Sequence, residues 1–386
     1  MALMRRLVVG LVCALLLCGA TVSGAQELAS CRWVTDTAAV PNAFLQGVDA
    51  VDSSNVLAVG AVVNSQGRTR TLVRHWDGSS WETQPSANVN TQNHDLTDVA
   101  VAPDGTAWAV GARGGKKTKT MVQSYDGSSW AMRSSLNPSE YGNFLSAVDV
   151  APSGDVYVAG ARENAKRRFR TMIHRYDGKA WKMFRSGYPG VLWDLDVIAD
   201  DDVWAVGEKG VGARDTRTVA VHFDGTGWTE VATASPGQGF SALYSVSAAA
   251  PDDVWAVGEW WDPDRDGSAR PWIVHFDGTS WSAPEIPDFT TGTAGAGLFG
   301  VSALDADTAV AVGVDYTFPV EDSRVVIEWN GTSWSRAEQD GDRHRGWLLA
   351  VDLAPDGGGW TVGHHQTESP STGFVSTDYI QRRTCG

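Results

Sequence analysis

A glycine that closes an apolar run recurs seven times in this chain, at Gly60, Gly111, Gly160, Gly207, Gly258, Gly313 and Gly363. Successive copies lie 47 to 55 residues apart. Self-similarity at that spacing is the mark of a propeller or a solenoid. The clearest unit is residues 202–228, which reads D-V-W-A-V-G, a variable loop, and then T-V-A-V-H-F-D-G-T-G-W. Its apolar runs, Val203-Trp204-Ala205-Val206 and Val221-His222-Phe223, have strand spacing, and no unit carries a helical period.

Each unit reads as four short strands. The first is an L-x-x-V run such as Leu96-Thr97-Asp98-Val99, and a tight turn such as Pro103-Asp104-Gly105 joins it to the V-W-A-V-G strand. A long loop leads to the third strand. Asp-Gly or Asn-Gly then turns the chain into a fourth strand that opens on tryptophan, because that dipeptide supplies the positive φ a tight hairpin needs. Those tryptophans are Trp81, Trp130, Trp181, Trp228, Trp281 and Trp334, six for seven glycine runs. The missing fourth strand is at the other terminus, where Cys31-Arg32-Trp33-Val34 puts Trp33 in the expected place. The prediction is an all-β, seven-bladed β-propeller over residues 26–386. Its blades are four-stranded, and the N-terminal strand completes the last one, which removes open sheet edges.

Of the four cysteines, Cys13 and Cys18 fall in a leader. Cys31 and Cys385 sit where the other blades have their Asp-Gly turn, so a bond between them replaces that turn covalently. Residues 1–25 have the parts of a signal peptide: Arg5-Arg6, an apolar core, and Ser23-Gly24-Ala25 as a small-residue cleavage site. Export agrees with the disulfide, and the core is short for a membrane span. The predicted product is therefore a secreted, monomeric protein without stable membrane insertion. A formal charge of −15 argues against a nucleic-acid partner.

The V-x-x-Y-D-G-x-x-W pattern, as in Met172-Ile173-His174-Arg175-Tyr176-Asp177-Gly178 with Trp181, resembles the kelch repeat. Where kelch strands end in Gly-Gly, the second position here is Ala61, Ala112, Ala161, Glu208, Glu259, Val314 or His364. The W-A-V-G units are also similar to exported actinobacterial proteins of galactose-oxidase-like type. The resemblance implies a seven-bladed disc and no particular chemistry. Copper-radical oxidases of that class need a cysteine cross-linked to tyrosine, and both mature cysteines here are committed to closure.

The long two–three and four–one loops share one face of the disc, and binding residues usually ride on such loops. Candidate sites follow from that face. Asp262-Pro263-Asp264-Arg265-Asp266-Gly267 groups three carboxylates in a D-x-D-x-D-G loop suited to calcium, with Ile273 where an EF-hand has glutamate. Arg113 and Arg162 open a basic sector in blades two and three, opposed by acidic loops in blades five and six. Trp260 and Trp261, with Tyr141, Tyr188, Trp193, Tyr244 and Trp347, offer rings on which sugars could stack. Glu208 and Glu259 occupy equivalent positions in adjacent blades, as paired carboxylates of a glycosidase do. His364-His365 point to opposite sides of a strand. Asp49, Asp149, Asp196 and Asp352 recur at one place in strand one, which suggests a repeated structural hydrogen bond. The expected function is a non-enzymatic module binding a glycan or protein at the long-loop face. The alternatives are a carbohydrate-active enzyme using Glu208 and Glu259, and a scaffold assembling through its charged sectors.

Overall fold

The computed structural model describes residues 31–36, 39–89, 92–102, 104–115, 117–184, 188–210, 215–237, 239–261, 267–288, 295–317, 323–340, 345–369 and 373–385. Every regular element among them is a strand, and the strands form seven antiparallel sheets in chain order. Blade one is typical, with strands Ala43–Asp52, Asn55–Val63, Thr69–Trp76 and Trp81–Gln84. Blade seven uses Arg345–Leu353, Gly359–Ser369 and Gly373–Cys385, and Cys31–Thr35 is its fourth strand. Cys31 and Cys385 are register partners and are disulfide-bonded. A short run from the end of blade six, Glu338–Gln339, adds a fifth strand parallel to the N-terminal one. Sequence reading did not foresee it, since two residues carry no periodicity.

The hydrophobic core is divided among the blade junctions. Seven clusters of buried residues each span two neighbouring blades, and each contains one of the repeat tryptophans or packs against it. Trp33 is fully buried in the cluster between blades six and seven, so the closing strand wedges its junction as the other tryptophans do. The seam between blades seven and one also holds a buried ion pair, Arg74 to Asp378 at 3.0 Å.

The turn aspartates work as the Asp-Gly signal requires. Asp77 Oδ1 accepts the N–H groups of Ser79 and Ser80, and Gly78 takes φ +90°. The same geometry recurs at Asp126, Asp177, Asp224, Asp277 and Asn330.

One irregularity repeats in all seven blades and sets up the centre of the disc. Strand one slips register just after its leucine, at Leu45, Leu96, Leu145, Leu192, Leu243, Leu298 and Leu348. The slip is a β-bulge, which bends a strand and re-aims a side chain. The extra residues are Gln46, Thr97, Ser146, Trp193, Tyr244, Phe299 and Leu349, and all seven line the central cavity. The repeat glycine lies beneath this bulge. A Cβ at Gly60 would come within 2.0 Å of the Phe44 carbonyl oxygen, and at Gly207 within 2.1 Å of that of Val191.

Candidate functional site

The central cavity has a volume of about 290 Å³. Strand one enters from the long-loop face, so its bulge residues lie nearer that face and the aspartates that follow lie deeper. The deeper layer ties the blades together. Asp49 Oδ2 accepts the Val101 N–H at 2.7 Å, Asp98 that of Val148 at 2.8 Å, and Asp149 that of Val197 at 2.7 Å. Asp194 and Asp196 bond Val246 and Ala248. Serines take over at the next junctions, with Ser245, Ser247 and Ser302 accepting from Val301, Ala303 and Leu353. Asp352 then closes the circle on Ala50 at 2.7 Å. The repeated structural bond expected of Asp49, Asp149, Asp196 and Asp352 is thus present, and Asp98 and Asp194 share it.

Among the described residues no basic side chain lines this cavity. Burial, with the charge of Asp352, pushes Asp49 up to about 8. Burial pushes Asp149 up to about 7, and Asp194 and Asp352 up to about 6. Asp98 and Asp196 are raised by burial first and then by neighbouring carboxylates. Among the described residues no group of histidines, cysteines and carboxylates has the arrangement of a metal site.

Above the carboxylates the mouth is lopsided. Gln46, Thr97 and Ser146 make a polar arc. Opposite, Trp193, Tyr244 and Phe299 line the cavity, and Phe144 and Phe169 of blade three continue the run of rings outward from it. Phe169 meets Phe144 edge-on at 5.7 Å, Phe144 lies 6.2 Å from Trp193, Trp193 lies 6.1 Å from Tyr244, and Tyr244 stacks on Phe299 at 5.3 Å. Phe169, at the outer end, is 42% exposed.

Glu259 supports this track from behind. Its carboxylate accepts the Tyr244 hydroxyl at 3.0 Å and the Tyr316 hydroxyl at 2.8 Å. Burial, followed by the charge of Glu259, raises both phenols far above their usual range. Gly297 leaves the room for this clamp, because a Cβ there would lie 2.6 Å from Glu259 Oε2 and 2.7 Å from the Tyr316 hydroxyl. Glu208 lies in a second cavity of about 320 Å³ between blades three and four, with Arg167, Arg168 and Phe169 among its walls. Burial, and secondarily the charge of Glu259, raises the Glu208 carboxyl.

The other predicted site residues are dispersed. Trp260 lies under the Arg270 guanidinium at 5.6 Å, and Trp261 packs on Phe240 while remaining 38% exposed. Neither lines the cavities described here, and neither do Arg113 and Arg162. Those arginines sit at equivalent strand positions in adjacent blades, facing His94 and Asn143 in register. Asp262, Asp264 and Asp266 lie outside the described residues. Tyr188 packs into the core between blades three and four. Trp193 and Tyr244 do reach the channel, whereas Phe144, Phe169, Phe299 and Tyr316 went unnoticed in the sequence. The signal for Trp193, Tyr244 and Phe299 was present in their shared place, directly after the strand-one leucine. It is readable only once the bulge is known.

No known family profile and no curated protein matches this chain in sequence. Solved structures do match in shape. A PL25-family ulvan lyase bound to -[GlcA(1-4)Rha3S]- has a TM-score of 0.52 at 11% identity, covering 83% of this chain and 89% of its own. A protein of unknown function from Dyadobacter fermentans has a TM-score of 0.48 at 12% identity, covering 73% and 93%. An Aleuria aurantia lectin in complex with Fucalpha1-6GlcNAc has a TM-score of 0.40 at 12% identity, covering 67% and 78%. At these identities the likeness is one of fold, and the fold of this chain is a seven-bladed β-propeller with four-stranded blades.

Proposed function

We propose that this chain is an exported saccharide-binding propeller that holds a glycan across the mouth of its channel. The observation that carries the reading is the run of rings from Phe169 through Phe144, Trp193 and Tyr244 to Phe299. Sugar rings offer apolar C–H faces and hydroxyl edges. The aromatic arc suits the faces, and Gln46, Thr97 and Ser146 suit the edges. Binding sites of this kind combine apolar walls with a few placed polar groups. The clamp on Tyr244 keeps its ring in one orientation before a ligand arrives, which lowers the entropic cost of binding. The leader at residues 1–25 and the kelch-like character of the repeat belong to the same proposal, as does calcium at Asp262, Asp264 and Asp266.

Affinity electrophoresis against a panel of soluble polysaccharides tests it. Retardation by at least one polysaccharide is expected, weakened about tenfold by Trp193→Ala, the equivalent of about 1.4 kcal/mol. A Trp193→Ala protein that folds and binds as before would refute the site.

A second reading is acid–base work on a glycosidic bond. It is favoured by a raised carboxyl at Glu208 within electrostatic reach of Glu259. The two tyrosine hydroxyls on Glu259 weigh against it, because they occupy both oxygens of the partner carboxylate. Release of reducing ends from a polysaccharide, lost in Glu208→Gln, would favour it over simple binding.

A further inference from the structure

A third cavity lies at the long-loop face between blades six and seven. Its volume is about 200 Å³, and it shares no lining residue with the channel. Tyr316, Thr317, Arg345, Trp347, His364 and Gln366 form most of its wall. We propose that this cavity is a subsite for one neutral pyranose unit, stacked by its C–H face on Trp347 and read through its hydroxyls by Arg345, His364 and Gln366. The proposal rests on the saccharide reading of this face and names a part of it that the channel track does not include.

Trp347 is the first observation. It is 46% exposed, the most exposed large apolar side chain among the described residues. A single exposed apolar residue is ordinary on a protein surface. This one lines a cavity and is rigidly mounted. Its ring lies 5.3 Å from the His364 imidazole. The backbone just before it is held twice by Ser323, whose hydroxyl donates to the Gly346 carbonyl at 2.8 Å and accepts the Gly346 N–H at 3.1 Å. In the other blades the residue at this register is Phe44, Asp95, Phe144, Val191, Ala242 or Gly297. The indole is therefore a feature of blade seven and not of the repeat.

The facing wall is equally fixed. Tyr316 is held by its hydrogen bond to Glu259. Thr317 N–H donates to Asp315 Oδ1 at 2.8 Å, and Asp315 N–H to the Ser323 carbonyl at 2.7 Å. An aromatic platform facing a wall fixed before binding is what a specific small-ligand site needs.

The chemistry of the wall selects the class of sugar. Among the described residues the cavity carries one carboxylate, Asp315, and one guanidinium, Arg345, so these present no field of a single sign. Burial, then the neighbouring His365, lowers the pKa of His364. A neutral imidazole offers a donor and an acceptor, which suits hydroxyl groups. The volume admits one sugar ring, not an extended chain.

Saturation-transfer NMR with methyl β-glucoside, β-galactoside, α-mannoside and α-fucoside, and with methyl β-glucuronide as the charged arm, tests the proposal. At least one neutral glycoside should receive saturation at its ring C–H protons. Trp347→Ala should weaken that glycoside about tenfold, Trp347→Phe should restore most of it, and Met183→Ala, at an exposed side chain that lines neither this cavity nor the channel, should leave it within about twofold. The unfolding temperature of each variant controls for misfolding, which an exposed ring should not cause. Unchanged binding in Trp347→Ala, binding of the glucuronide alone, or no binding by any glycoside would overturn the subsite. Polysaccharide binding that Trp193→Ala abolishes and Trp347→Ala spares would leave the channel-mouth reading standing while this one falls.

Discussion

Gly207 explains why the repeat must keep a glycine at the end of its second strand. Its φ is unremarkable, so conformational freedom is not the reason. The strand-one bulge brings the Val191 carbonyl oxygen within 2.1 Å of where a Cβ would stand. Gly207→Ala therefore has to push the bulge away, and the displaced element is the one that carries Trp193 into the channel. Overpacking of this kind costs about 1–3 kcal/mol. Gly210→Ala in the same strand is the control, because a Cβ there meets nothing within 4 Å. Denaturant titration should show the first variant destabilised by that amount and the second within about 0.5 kcal/mol of the parent. Saccharide binding at the channel mouth should weaken in Gly207→Ala alone.

At the scale of the strand, the sequence was most readable where a signal has a local cause. Asp-Gly before tryptophan specified the three–four turn because both residues act within that turn, one by accepting N–H groups and the other by its positive φ. The placement of Trp33 and the two cysteines was legible because the repeat supplied a template with one strand missing. The strand-one bulge was not legible. Its extra residue is Gln, Thr, Ser, Trp, Tyr, Phe or Leu, which share a position and no chemistry. That is why the aromatic track escaped notice while Trp260 and Trp261, conspicuous as neighbours, drew attention. Those two lie on the second strand of blade five, Asp253–Trp261, none of whose residues lines the channel. The closing strand supports a prediction of its own. Cys31–Thr35 is held by the disulfide, by pairing with Gly373–Cys385, and by the parallel Glu338–Gln339 run. Reduction, or Cys31→Ser, should cost about 2–5 kcal/mol, read as a fall in unfolding temperature. Because Trp33 still wedges its junction, the seven-bladed circular-dichroism signature should survive at low temperature.

Across the whole disc, two populations of aspartate titrate in opposite directions and set its pH dependence. The turn aspartates Asp77, Asp126 and Asp224 are held at about 2, first by the side-chain hydroxyl and then by the N–H groups of their own turns. Their folded pKa lies below the unfolded value, so they favour folding above that value and the benefit is lost as pH falls towards 2. The channel aspartates lie on the other side. Asp194 and Asp352 stand at about 6, Asp149 at about 7 and Asp49 at about 8. Their folded pKa exceeds the unfolded one, so their contribution is complete at acid pH and is lost as pH rises through about 6 to 8. Stability should therefore peak in mildly acid solution and decline on both sides. Asp49→Asn offers a sharp check, because asparagine keeps an oxygen for the Val101 N–H and cannot ionise. Unfolding temperatures across pH 4 to 9 should match the parent at the acid end and exceed it at the alkaline end. A variant less stable than the parent at pH 8 would mean that a cation or ordered solvent neutralises the channel carboxylates. The blade-to-blade bonds would then depend on that neutralising group and not on retained protons.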